Sequence, residues 1–157
     1  MRIMKKFLAI FAFVALALTL NSCGEKGSNG GGAESKAQIV GEWHLVAWSE
    51  GKPEYLDVYL NLKSNSTFDL YQRIESHEYK KLSGRYLLSG NKLTGKYDDG
   101  VALGGEPYVV EIKGEQLRMT TASGDTSTYE KCTIPSEIIA ASAEQAAVRS
   151  EVAFRFL

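Results

Sequence analysis

Residues 84–97, GRYLLSGNKLTGKY, contain two segments of alternating apolar and polar residues joined by Ser89-Gly90-Asn91. Alternation with a period of two is typical of a β-strand with one buried face, and turn residues between two such segments predict an antiparallel hairpin. Each predicted strand carries Gly-x-Tyr, at Gly84 to Tyr86 and at Gly95 to Tyr97. We interpret the glycines as positions where a strand bends, with the tyrosines filling the space that the bend opens.

The same pattern continues on both sides of this hairpin and predicts eight short antiparallel strands between residues 37 and 134. Because the connections are short, consecutive strands are expected to be neighbours in the sheet. A flat meander of this length would leave two exposed edges, and closure into a barrel removes them. The expected fold is therefore mostly β, a single antiparallel eight-stranded meander closed as a barrel. The side chains expected to line its interior are Trp43, Leu60, Phe68, Leu70, Tyr86, Tyr97, Tyr108 and Met119.

The first predicted strand covers about residues 38–48, and strict alternation divides its side chains between two faces. The inward face is expected to hold Ile39, Gly41, Trp43, Leu45 and Ala47. The outward face is expected to hold Glu42, His44, Val46 and Trp48.

A helix is expected after the last strand, because residues 137–153 are rich in Ala, Glu and Gln and contain no Gly or Pro. Ser136 can cap its N-terminus. Its apolar stripe is expected to pack outside the barrel, with Val46, Trp48 or Tyr59 as its dock. The apolar residues Phe154-Arg155-Phe156-Leu157 either complete this dock or stay exposed for a partner.

The first 23 residues have the order of a secretory signal. Residues 1–6 carry three positive charges, residues 7–20 form an uncharged apolar run, and Leu20-Asn21-Ser22-Cys23 follows. At ~1.5 Å per residue the apolar run spans roughly 21 Å, less than the ~30 Å hydrocarbon core of a bilayer, so we expect a cleaved signal and not an anchor. The four residues ending in Cys23 resemble the bacterial lipobox, which implies lipidation of Cys23. The alternative is an ordinary signal peptide with an incidental cysteine.

Residues 24–36, GEKGSNGGGAESK, offer nothing to bury and predict a flexible tether. The expected organisation is a cleaved lipoprotein signal peptide at 1–22, lipidated Cys23 and tether at 23–36, the barrel at 37–134, and the helix and tail at 135–157. The lipoprotein resemblance implies a lipid anchor in the cell envelope. Gly24 rather than Asp follows the cysteine, and resemblance to lipoprotein sorting in Gram-negative bacteria then implies the outer membrane.

Three motifs resemble those of the lipocalin-like domains found in small lipoproteins of Bacteroides-type bacteria. Gly41-Glu42-Trp43 is similar to the lipocalin Gly-x-Trp, residues 84–93 are similar to the meander signature of these domains, and Tyr129-Glu130-Lys131 resembles their closing Tyr-x-Lys. The resemblance implies a lipocalin-like barrel. It also implies that Trp43 closes one end of the barrel and packs on a basic side chain, here Lys131. The chain lacks a clear Thr-Asp-Tyr motif of the true lipocalins.

Composition and motifs argue against catalysis and nucleic-acid binding. The chain has 18 basic and 19 acidic side chains, and three of the basic ones lie in the leader, so the mature part has no basic excess for a nucleic acid. No hydrolase, zinc-protease or phosphate-loop motif is present, and we expect no catalytic residue, cofactor or metal. His44 is predicted to face outward and His77 to lie in a polar turn. Asp98-Asp99 beside Gly100 forms either a cation site or a solvated loop.

The inward aromatic residues leave two functions open. Either they line a cavity for a small hydrophobic or aromatic molecule, or they fill the barrel themselves. The interior of an eight-stranded barrel can hold one small ligand, but it can also be filled completely by its own side chains. In the first case the protein is a membrane-tethered, non-catalytic binding protein. In the second it is an interaction or structural lipoprotein of the envelope, whose partner is an envelope protein.

Overall fold

The computed structural model describes residues 36, 38–49, 51–52, 54–145 and 154–157. Within them eight antiparallel strands form one closed barrel in which each strand pairs with the next and the last pairs with the first. This confirms the predicted fold class. The strands, in chain order, are β1 (Gly41–Trp48), β2 (Leu56–Leu62), β3 (Thr67–Ile74), β4 (Lys80–Ser89), β5 (Lys92–Tyr97), β6 (Tyr108–Lys113), β7 (Gln116–Thr120) and β8 (Thr126–Lys131).

Several predictions fall outside the described residues. These are the signal peptide at 1–22, the lipidation site Cys23, residues 24–35 of the tether, and the second half of the predicted helix at 146–153. No helix in the described ranges is long and apolar enough to cross a bilayer.

Alternation along the strands builds the core of the barrel. In β2 every second residue, from Leu56 to Leu62, is buried, and the residues between them are half-buried. Inward residues of all eight strands join one apolar cluster. Burial of these side chains is the main driving force for the fold, at about 25 cal/mol for each Å² of apolar surface removed from water.

The predicted alternation is wrong at the end of β1. Leu45 pairs with Tyr129 of β8, but the next pair along is Ala47 with Thr128, so β1 contains a bulge. An extra residue in one strand inverts the alternation that follows it. Ala47, expected inward, is therefore exposed, and Trp48, expected outward, packs against the barrel core.

The start of the first strand also differs from the prediction. Residues 38 and 39 are helical, and the N–H of Val40 donates to the carbonyl of Lys36 at 3.3 Å. Ile39 is nevertheless buried in the barrel core.

The two strand glycines make room for close neighbours, although not for the tyrosines that we expected. Gly84 pairs with Phe68 of β3, and a Cβ at position 84 would lie 2.7 Å from the Phe68 ring. A Cβ at Gly95 would lie 3.3 Å from a methyl carbon of Leu103. The hydroxyl of Tyr86 instead donates to the carbonyl of Lys63 at 2.7 Å.

Helix α1 (Ser136–Gln145) packs on the outside of the barrel, as predicted, against β3 and β4. Its buried residue Ile138 joins a second apolar cluster, separate from the barrel interior, with Ile134 and Tyr71. Of the three docks expected for this helix, Tyr59 packs against the cluster, whereas Val46 is exposed and Trp48 packs against the barrel core.

Candidate binding site at the barrel mouth

Trp43 is buried near one end of the barrel, which we call the closed end, and its indole N–H donates to the carbonyl of Ile39 at 2.8 Å. The ammonium of Lys131 lies 5.6 Å from the centroid of the Trp43 ring, within the range of a cation–π contact. Gly41 has a φ of +146°, and a Cβ there would lie 3.3 Å from Cε of Lys131. The glycine of the Gly-x-Trp motif therefore leaves room for the lysine stem.

The eight side chains expected to line a cavity all lie inside the barrel, where their exposed fractions range from 0 to 7%. None of the eight borders either of the pockets at the two ends of the barrel. They pack against one another instead, as Phe68 and Tyr97 do with ring centroids 5.5 Å apart in an edge-on contact. A pocket of about 70 Å³ lies near the closed end, beside Ile39 and Val110. Sites for drug-sized ligands measure roughly 300–1,000 Å³.

A larger pocket, of about 190 Å³, lies at the opposite end, which we call the mouth. It lies where β1 ends and β2 begins, and the bulge in β1 is what turns Trp48 into the barrel. An apolar cavity of about 150 Å³ is large enough for benzene. The apolar walls of the mouth pocket are Trp48, Tyr55, Leu56, Ile74, Phe154 and Phe156.

Residues Phe154–Leu157, which we call the mouth segment, occupy the rest of this opening. Leu157 is buried as a member of the barrel core, and Phe156 meets Trp48 edge-on with centroids 5.9 Å apart. Phe154 is 72% exposed. The segment therefore neither completes the helix dock nor lies wholly exposed, because its last residue enters the barrel.

Polar side chains of the barrel bind the backbone of the mouth segment. Gln72 of β3 is only 3% exposed; its Nε2 donates to the carbonyl of Phe154, and its Oε1 accepts from the N–H of Phe156 at 3.0 Å. The hydroxyl of Tyr97 donates to the carbonyl of Leu157 at 2.7 Å. Burial raises the pKa of Tyr97 above its usual range, so the hydroxyl remains a donor at physiological pH.

A charged pair at the rim holds the same segment. Arg155 donates to both carboxylate oxygens of Asp99, one of them at 3.2 Å, and its guanidinium lies 4.5 Å from the centroid of the Tyr97 ring. The hydrogen bond from Arg155 lowers the pKa of Asp99. The sequence left open whether Asp98-Asp99 forms a cation site or a solvated loop. In the structure the cation beside Asp99 is the guanidinium of Arg155.

The two histidines lie apart from the mouth. His44 faces outward, with Nε2 2.7 Å from Oδ1 of Asp57 and its ring stacked on Tyr59 at 4.3 Å, while His77 is exposed in its turn. Burial raises the pKa of Asp57, but hydrogen bonds from Tyr79 and His44 outweigh it, and the net pKa is lowered. Across the described ranges, no three His, Cys, Asp or Glu side chains come together as a metal site.

Sequence reasoning missed Gln72, Asp99 with Arg155, and the inward position of Trp48. A signal existed for Gln72, because it follows Phe68 and Leu70 at the inward positions of β3 and is polar. The pairing of Asp99 with Arg155 joins residues 56 positions apart and has no local signature.

Residues 39–119 match the family model of the lipocalin-like domain, which is 81 of the 157 residues. The chain is also similar to the crystal structure of an uncharacterized protein from Bacteroides eggerthii DSM 20697. That similarity covers 59% of this chain and 98% of the other, with 16% sequence identity and a TM-score of 0.47. No curated protein matches the chain.

Proposed function

Because this chain belongs to the lipocalin-like domain family, we propose that it is a membrane-tethered, non-catalytic lipoprotein that binds a small hydrophobic or aromatic molecule at the barrel mouth. The observation that carries this proposal is the mouth pocket of about 190 Å³ between Trp48, Ile74 and Phe156. Aromatic walls on two sides favour a flat ligand, because rings gain from edge-on and offset contacts beyond the area they bury. The volume suits a molecule with one aromatic ring.

The two tryptophans allow a direct test of this site. The Trp43→Phe variant keeps Trp48 at the mouth as its one tryptophan, and the Trp48→Phe variant keeps Trp43 at the closed end. Iodobenzene quenches indole fluorescence on contact, so we expect saturable quenching in the first variant and a weak linear response in the second. Equal, linear quenching in both folded variants would refute binding at the mouth.

A second pair of variants tests the walls of the pocket. Tyr55→Ala removes an aromatic wall, and we expect it to weaken iodobenzene binding measured through Trp48. Leu87→Ala is the matched control, because Leu87 is also an exposed apolar residue but lies on β4, outside this pocket. The site is not the mouth pocket if both substitutions change the affinity equally.

The membrane tether rests on the sequence of residues 20–23 and the spacer that follows it. We expect the full chain to incorporate a fatty-acid label in bacterial cells and to fractionate with the outer membrane. Cys23→Ser should abolish the label and release the protein, whereas Cys132→Ser, the matched control, should do neither. A Cys23→Ser protein that keeps the label would contradict lipidation at this residue.

The packed interior favours a second candidate, an interaction or structural role in the envelope. The inward side chains fill the barrel, so binding through the outer surface needs no change inside it. The exposed apolar residue Val101 lies in the loop between β5 and β6 and is a suitable site for a photo-crosslinking residue, with the exposed Lys113 as the control position. A discrete cross-linked product in the envelope from position 101 alone would support this role, and the absence of one would oppose it.

A further inference from the structure

We propose that the barrel mouth recognises a short peptide with a basic residue between two hydrophobic residues, and that the mouth segment occupies this site as an internal competitor. The inference rests on the proposed function in that it takes the mouth to be the binding site. It adds the chemical class of a ligand and the way in which the chain itself regulates access to it.

The first observation is the contact between Gln72 and the backbone of the mouth segment. A side-chain amide presents one donor and one acceptor, and Gln72 uses them on the carbonyl of Phe154 and the N–H of Phe156. A buried amide without such partners is unfavourable, because it has given up its hydrogen bonds to water. A polar residue at this apolar, inward position therefore suits a ligand that brings peptide groups.

Tyr97 binds one more peptide group of the mouth segment. Its hydroxyl donates to the carbonyl of Leu157, while the Leu157 side chain is buried in the barrel core. Three main-chain groups and one apolar anchor are thus bound within four residues. Main-chain hydrogen bonds provide affinity in peptide recognition, and pockets for side chains provide specificity.

The specificity of the site comes from its rim. Asp99 and the face of the Tyr97 ring both hold the guanidinium of Arg155, which selects a cation at this position of a peptide. Trp48 contacts the next residue, Phe156, edge-on and selects an aromatic side chain there.

Because the mouth segment occupies this site, it competes with any free peptide that binds there. Because the mouth segment belongs to the same chain, its binding is intramolecular and its effective concentration is set by the length and stiffness of the connection, so a free peptide of the same sequence competes poorly with it. Removal of residues 154–157 should therefore raise the affinity for such a peptide by roughly tenfold or more. The same removal should leave Gln72 and Tyr97 available to the peptide.

The test compares the full chain with a chain that ends at residue 153. The probe is the fluorescein-labelled peptide Phe-Arg-Phe-Leu amide, and the control peptide carries Glu in place of Arg. We expect the shortened chain to bind the probe, the full chain to bind it about tenfold more weakly or worse, and the Glu peptide to bind neither. Gln72→Leu in the shortened chain should weaken binding. Equal affinity of the two chains, or no binding by a folded shortened chain, would overturn the inference.

A full-length variant covers the case in which the shortened chain fails to fold. Arg155→Glu keeps the length and the other three residues of the mouth segment but places a carboxylate against Asp99, so we expect the segment to leave the mouth and the probe to bind more tightly. Arg118→Glu is the matched control, because it makes the same charge reversal on β7, opposite Glu111 of β6. Probe binding by Arg155→Glu no tighter than by Arg118→Glu would overturn the inference.

Two further results separate this inference from the proposed function. Saturable quenching of Trp48 by iodobenzene without peptide binding to a folded shortened chain overturns the inference alone and leaves the small-molecule site. Failure of both probes overturns both. A full chain that dimerises in the concentration range of the assay, and whose shortened form stays monomeric, would show that a second copy donates the segment, and that would overturn internal competition.

Discussion

Phe68 packs against Gly84 of the neighbouring strand so closely that a Cβ at position 84 would lie 2.7 Å from its ring and 2.2 Å from the carbonyl oxygen of Lys96. The two residues are partners in the β3–β4 register. The contact explains why a glycine stands in the middle of a strand, where it is otherwise unfavourable. It also means that an added methyl group has no free space at this position.

We therefore expect Gly84→Ala to lower the free energy of unfolding by about 1–3 kcal/mol, the usual range for overpacking a core. Gly105→Ala is the control, because a Cβ at Gly105 has no atom within 4 Å. Urea denaturation of both variants measures the difference. Equal stability of the two variants would contradict the close packing of Phe68.

The closed end offers a test that separates charge from packing. Lys131→Met keeps an apolar stem over the Trp43 ring and loses the ammonium, so we expect a loss of about 0.5–1 kcal/mol of stability from the cation–π contact of this exposed lysine. Lys131→Ala should lose more, because it also removes the stem. Urea denaturation followed by tryptophan emission gives both values, and Lys113→Met on β6 is the control for a lost lysine charge. If Lys131→Met and Lys113→Met are equally stable, the charge over Trp43 contributes nothing.

Asp69 is expected to make stability depend on pH in the acid range. It is buried, with Oδ2 2.6 Å from Nζ of Lys63 and Oδ1 accepting from Ser83 at 2.6 Å. Burial raises the pKa of Asp69, but the hydrogen bonds from Lys63 and Ser83 outweigh it and leave the pKa below its usual value. A carboxyl with a lowered folded-state pKa contributes stability above the unfolded pKa of about 3.9 and loses it as the pH falls through the folded value.

Asp69→Asn should therefore be less stable than the parent protein at pH 7, by about 1–3 kcal/mol for a lost charged hydrogen-bond acceptor, and the gap should shrink below about pH 4. Urea midpoints measured from pH 7 down to pH 2 test this. Asp98→Asn is the control, because Asp98 is an exposed carboxylate in the loop after β5. A gap between Asp69→Asn and the parent that does not change with pH would argue against a titrating Asp69.

The docking of α1 can be tested with two adjacent residues of the same type. Ile138 is 7% exposed and packs in the cluster with Tyr71, whereas Ile139 is 42% exposed. Ile138→Ala should cost about 2 kcal/mol, at the lower end of the range for a buried isoleucine because the helix packs against only one surface. Hydrogen exchange of the α1 amides measures the loss even if the barrel stays folded. Ile139→Ala should retain the protection, and equal losses in both variants would contradict the docked face.

Most of the fold was predictable because the signals for it are local. The period-two alternation in β2 and the turn residues between β4 and β5 each lie within a few residues, and they determined the strands and their order. The composition of residues 137–153 likewise predicted a helix, and the described part of that range belongs to the helix Ser136–Gln145. The eight interior residues were also identifiable, because alternation assigns a face to each of them.

The binding site was less accessible to sequence reasoning, as Trp48 illustrates. Alternation assigned this side chain to the outer face, and a single bulge between Leu45 and Ala47 brought it into the mouth. The bulge arises in the pairing of β1 with β8, whose residues lie about 80 positions away in the sequence. No pattern in the sequence of β1 itself predicts the bulge.

An eight-stranded antiparallel barrel with an outer helix could be predicted from the amino-acid sequence, because short-range periodicity and turn chemistry specify strands, hairpins and the face that each side chain takes. The contacts that fill the mouth, in contrast, are tertiary and could not be predicted in this way. Gln72 and Phe156 are 84 residues apart, and Tyr97 and Leu157 are 60 apart, and they meet because barrel closure creates an opening whose buried polar groups need partners. Such contacts depend on shape and desolvation across the whole barrel, so local sequence patterns do not predict them.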